Sequence, residues 1–195
     1  RLDDDELSGL TQRSTQLGEL LGRAPSSLRD LLKNVFNLSI ASELIAGGTT
    51  AASIGSIATQ SELLEEYEDQ RLSSSRLQTA VAVAVKAMID RRRLTVRKVD
   101  IGHEALDDVL RSGVLVASGD RVQFAHHVLF DHAAGRYYLD WIDTSRLQTQ
   151  VTEDPAIGLL LGPSLKFAME RVWRDDSPSR PNTWKLPIAI TSISG

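Results

Sequence analysis

The sequence contains no cysteine, so disulfides and thiolate metal sites are excluded, and a reducing compartment is permitted. No apolar run approaches the roughly 18 residues of a membrane-spanning helix, and no signal peptide is visible. A cytoplasmic location with no membrane contact is the expectation. Nothing of the form GxxxxGK[ST] occurs, and the Gly47-Gly48-Thr49-Thr50 stretch lacks the lysine that would reach a phosphate. The chain by itself is therefore not expected to hydrolyse or hold nucleotide. HExxH and GxSxG are missing too, and local spacing supports no Ser, His and Asp set, so no catalytic residue is assigned. Positive charge is not in excess: 22 Lys and Arg against 26 Asp and Glu give a net charge of −4. General attraction to nucleic acid or anionic membranes is excluded, leaving only local contacts.

What is present is ordinary globular material, 42% hydrophobic and 25% charged, in a length of 195 residues that fits one domain or two small ones. The chain starts at Arg1 rather than methionine and ends in Ile-Thr-Ser-Ile-Ser-Gly, so a piece of a longer protein is expected.

The clearest local structure lies between Val114 and Trp141. Val114 to Ala117 and Arg121 to Ala125 are β-type runs around Gly119-Asp120, a two-residue turn with glycine first. Val122 and Phe124 alternate with Arg121 and Gln123, as in a half-buried strand. Beyond the hairpin, Phe130, Ala133, Ala134, Tyr137 and Trp141 form one apolar stripe of a helix, predicting a core shared by wing and helix. His126 and His127 sit at the junction. Adjacent histidines at a strand end point apart, and His127 and His132 are five residues apart, so neither pair offers two ligands on one helix face and no metal site is assigned.

Before this stretch, Asp3 to Glu6 place negative charge on the first turn of a helix with Leu7, Leu10, Leu17 and Leu21 inward, ending near Gly22. A second helix opens at Pro25-Ser26-Ser27, with Ser27 and Asp30 as a capping pair. The third carries Phe36, Ile40 and Leu44 and ends at Gly47-Gly48. Residues 47–60 read as a loop with at most one helical turn, and Thr59 with Glu62 caps the next helix. Ser73-Ser74-Ser75 breaks the chain before a helix with Leu77, Val81, Ala84 and Met88 inward. Leu94 to Val99 reads as a short strand, and His103 to Ser112 as a helix stopped by Gly113. Pro155 to Trp173 reads as two helices around a Gly162-Pro163 break, Ser177 to Pro181 as a loop, and Leu186 to Ile193 as a tail. The expected fold class is mainly α: a helical bundle over 1–72, a winged helix with one hairpin wing over 73–142, and a helical connector over 143–195.

The basic run Arg91 to Lys98 raises nucleic-acid binding. The helix in the recognition position, however, carries Glu104, Asp107 and Asp108 against Arg111 alone, and carboxylates facing phosphates are repelled. A winged-helix nucleic-acid-binding or transcription-regulating module is thus the rival reading, with groove binding disfavoured.

Three stretches resemble the part of a STAND-type signal-transduction ATPase, related to AAA+ and NACHT proteins, that follows the nucleotide-binding core. Leu31 to Leu38 resembles the lid motif in which a proline precedes a bulky apolar residue, and Glu62 to Tyr67 the next lid helix. Phe124 to Ala133 resembles the Met-His-Asp motif of the winged helix and the helix after it. The resemblance covers about residues 1–142. It implies a regulatory lid and winged helix that close over ADP or ATP held by the core domain of the same chain, with a protein partner or self-association in the intact parent. His126 stands at the motif histidine, near the β-phosphate, and Val35 at the lid proline, beside adenine; these are the cofactor-binding candidates. Val35 departs from proline, and Ala125 and His127 replace the motif's methionine and aspartate. Read from the residues alone, His126 is equally a strand-end histidine satisfied by backbone.

Overall fold

A computed structural model describes residues 1–11, 14–139, 145–146, 148–149 and 155–174. The chain divides into two units, Arg1–Arg71 and Leu72–Gly195. Among the described residues it is mainly helical with one small antiparallel sheet.

The first unit holds α1 (Asp4–Thr11), α2 (Thr15–Arg23), α3 (Ser26–Leu32), α4 (Val35–Ala46), α5 (Ala51–Gly55) and α6 (Gln60–Arg71). The single first helix expected from leucine spacing is in fact two. Ser14 Oγ accepts from the Leu17 backbone N–H at 3.3 Å, so a hydroxyl satisfies a donor and a new helix starts there. The acidic start of α1 is a reciprocal cap: Glu6 N–H donates to Asp3 Oδ1 at 2.8 Å, and Asp3 N–H donates to Glu6 Oε2 at 3.0 Å. The expected Ser27 and Asp30 pair does not form. Helix α3 follows Pro25 without a side-chain cap, and Asp30 instead meets Lys33 at 3.1 Å. Asn34 caps α4, and α4 ends in a Schellman turn with Gly48 at φ +99. The Thr59 and Glu62 box forms as read from the sequence. Leu28, Leu32, Leu44, Ile54, Leu63 and Leu64 are fully buried between these helices. Polar contacts also join α4 to α6: Glu43 accepts from Arg71 at 2.8 Å and from the Tyr67 hydroxyl at 3.1 Å, and Asn37 Oδ1 accepts from Gln60 at 2.9 Å. Burial, reinforced by the Glu43 charge, pushes the Tyr67 phenol up to about 12.

The second unit runs α7 (Ser75–Asp90), β1 (Val96–Arg97), a 3-10 turn (Lys98–Asp100), α8 (His103–Ser112), β2 (Leu115–Ser118), β3 (Arg121–Phe124), α9 (His127–Tyr137) and α10 (Pro155–Arg174). The strand expected over Leu94 to Val99 is only two residues long, because the chain turns into the 3-10 segment at Lys98. The sheet order is β1-β3-β2, with Val96 opposite Val122 and Leu115 opposite Phe124. Gly119 takes φ +61 while Asp120 keeps a negative φ, the pattern of a type II′ turn that matches strand twist. Val96, Val122 and Leu115 are buried with Val81, Met88 and Val109, so the wing, α7 and α8 share one core.

Helix α10 corrects the sequence reading of two helices around Gly162-Pro163. It is continuous, with Pro163 inside. Proline removes the N–H that would bond to the Leu159 carbonyl, yet Pro163 is exposed and Leu159 is 84% exposed, so water can take that acceptor. Trp141 and the segments 177–181 and 186–193 lie outside the described residues.

Candidate functional site

His126 leaves β3 in extended conformation (φ −145, ψ 145) and is the N-cap of α9. Its Nδ1 accepts from the Val128 N–H at 3.3 Å. An imidazole accepting at Nδ1 is neutral with its proton on Nε2, so the cap fixes the tautomer and makes Nε2 the donor side. Histidine is an uncommon cap. It does the job here because the extended strand end aims the ring back over the first helical turn.

The His126 and His127 rings do not point apart as expected for neighbours on a strand. Their centroids are 4.4 Å apart and their planes 31° from parallel. The reason is the change of conformation between them: His126 is still extended and His127 is the first helical residue. Burial, and then the nearby charge of His127, lower the His126 pKa from its ordinary value. The carboxyl of Asp131, one turn into α9, is raised by burial and partly restored by His127.

These shifts give a pH dependence. A histidine with a depressed folded pKa binds fewer protons folded than unfolded. Its stability contribution is therefore complete above about pH 6.5 and is lost as pH falls through the folded value. His126→Asn keeps a capping acceptor without titration. The melting temperature of the wild type is expected to fall more steeply than that of His126→Asn between pH 7.5 and 5. Parallel profiles would mean that the ring does not cap the helix.

Val35, the other site residue read from the sequence, is the first residue of α4, next to its Asn34 cap, and 58% exposed. Val35 belongs to the first unit and His126 to the second. At that exposure its side chain is presented to solvent rather than stored in the core.

His132 is buried, its ring edge-on to Phe167 with centroids 5.4 Å apart. It belongs to the packing between α9 and α10. Among the described residues no group of three His, Cys, Asp or Glu could hold a metal ion. Likewise no described helix is long and apolar enough to cross a membrane. In the recognition position, α8 carries Asp107 and Asp108, and Asp108 is already paired with Arg111.

The chain matches no protein-family model, no curated protein and no solved structure.

Proposed function

We propose that this chain is the regulatory part of a nucleotide-switched ATPase of the STAND type, closing over ADP or ATP held by a core domain outside this sequence and relaying its state. Residues 1–72 would act as the lid and 73–142 as the winged helix, in the cytoplasm. The observation that carries the reading is the His126 cap. A neutral imidazole whose donor nitrogen is fixed by its own backbone, at the positive end of a helix, is chemically fitted to a phosphate oxygen. Exposure of Val35 beside a helix start supports the other half, since an adenine ring needs an uncommitted apolar surface.

Closure would follow from differential contact. A ligand shifts a two-state equilibrium only by as much as it binds one state better, and a bond made by His126 in the closed state alone supplies that difference. A hydrogen bond to a charged group contributes about 1.5–3 kcal/mol, or roughly ten- to hundredfold in affinity. In the intact parent, His126→Ala is expected to release ADP that much faster and to raise spontaneous activation. His127→Ala keeps the cap and should change release little. Because His126→Ala also removes the helix cap, release is compared well below the melting temperature of each variant. Equal ADP release from both variants and the wild type would leave His126 as a helix cap only.

The acidic surface of α8 argues against the rival reading as a groove-binding nucleic-acid module.

A further inference from the structure

Four arginines, Arg91, Arg93, Arg97 and Arg121, line one open cavity of about 450 Å³. They come from separate places in the chain: the turn that follows α7, strand β1 and strand β3. The chain's net charge is −4, so such a gathering is not a by-product of a basic composition. Cations at 91–93 are partly explained by the helix C-terminus, where the macrodipole favours them. That account does not extend to the sheet. There the register sets Arg97 directly opposite Arg121, and like charges facing each other across strands are destabilising.

Two of the four guanidinium groups, those of Arg91 and Arg121, are anchored by the protein, and Arg97 lies at the edge of reach of the carboxylate that holds Arg91. Asp100 pairs with Arg91 and, at 3.5 Å, with Arg97. Those contacts hold the Asp100 carboxyl down at about 2. Arg121 donates from Nε to Thr95 Oγ1 at 2.7 Å and from a terminal nitrogen to the Thr95 carbonyl at 3.0 Å. Each guanidinium has five N–H donors, so these anchors fix the planes and leave donors over. The backbone is arranged to the same end. Arg92 adopts φ +52 as the left-handed residue of a Schellman turn, with Arg93 N–H bonded to Met88 O and Arg92 N–H to Ile89 O. Glycine normally holds that position, and a side chain there is strained. The turn brings Arg91 and Arg93 to the same rim.

We propose that this cleft is a receptor for a compact, multiply charged phosphate anion. Held guanidinium planes match phosphate oxygens two donors at a time, and fixing them beforehand reduces the entropy lost on binding. Four arginines around one concavity, offset by the single carboxylate of Asp100, leave a concentrated positive charge that answers a compact anion, whereas an extended backbone is met by cations spread along a surface. The inference is independent of the role given to His126.

The test is calorimetric titration of the full chain with sodium tripolyphosphate, repeated with ADP, with duplex DNA and with sodium chloride at matched ionic strength. Tripolyphosphate is expected to bind at one site and to raise the melting temperature. Arg93→Gln with Arg97→Gln should weaken it by at least about tenfold. Arg111→Gln, on α8 and paired with Asp108, should leave it unchanged. Both variants should melt near the wild type: the double variant loses the long Arg97–Asp100 contact but relieves the Arg97–Arg121 like-charge pair, and the exposed Arg111–Asp108 pair contributes little. ADP binding that is lost in the same double variant would identify a nucleotide's phosphate chain as a source of the anion. ADP that fails to bind while tripolyphosphate does would identify free polyphosphate. Absence of binding, an effect reproduced by chloride, or unchanged affinity in the double variant would overturn the proposal. So would DNA bound more tightly than tripolyphosphate through the same arginines.

Discussion

Phe124→Ala is expected to cost about 3–5 kcal/mol, the range for truncating a buried aromatic, and to melt the wing. Phe124 is only 7% exposed, lies opposite fully buried Leu115, and meets Phe130 edge to face with centroids 5.7 Å apart and planes at 73°. Truncation therefore removes apolar burial, leaves a cavity against Leu115, and deletes an aromatic pair that contributes about 0.5–1.5 kcal/mol beyond area. The effect should reach the histidines, because His126 follows two residues later and its capping geometry depends on where β3 delivers the chain. Urea denaturation gives the loss directly. Phe124→Leu, which keeps most of the volume, should cost less than about 1.5 kcal/mol. A loss below about 1 kcal/mol for the alanine variant would mean that the hairpin does not rest on this side chain.

Gly135→Leu is expected to be nearly as damaging, at about 3 kcal/mol, the upper end of the range for overpacking. A β-carbon on Gly135 would lie 2.8 Å from the Ser164 carbonyl oxygen and 3.1 Å from Phe167 Cβ. The nearest obstacle is helix backbone, which cannot rotate aside as the end of a long side chain can. Helix propensity runs the other way, since glycine inside a helix is about 1 kcal/mol worse than alanine. If α10 did not press on α9, Gly135→Ala would stabilise the protein; the close approach predicts that it destabilises. The sign of the melting-temperature change for Gly135→Ala decides between the two, and the leucine variant measures the size.

The hairpin, its turn, the alternation of Val122 and Phe124, and the stops at Gly48 and Gly113 were all legible in the sequence. Each is set by backbone sterics or by hydrogen bonds within a few residues, which adjacent side chains encode directly. The same holds for the Thr59 and Glu62 box. It failed for Ser14, where a hydroxyl inside an unbroken leucine pattern divides a helix; a cap and a mid-helix serine look alike until the competing bond is known.

Other features depend on what packs against what. The expected stripe on α9 was narrower than the buried surface. Leu129, His132 and Gly135 are buried alongside Phe130, Ala133 and Ala134, while Tyr137 is only half-buried. A helix covered on one side by α7 and β3 and on another by α10 has no single apolar stripe, and no periodicity within α9 announces the second neighbour. Continuity of α10 through Pro163 likewise rests on the solvent side being the one that loses its donor. The basic run from Arg91 was visible, but its partner Arg121 was not, since 24 to 30 residues of sequence separate them and only the register of β1 on β3 puts Arg97 across from Arg121. Local bonding was therefore fixed by local sequence, whereas helix contacts and the arginine cleft were decided by tertiary structure, because they join residues that chain proximity does not relate.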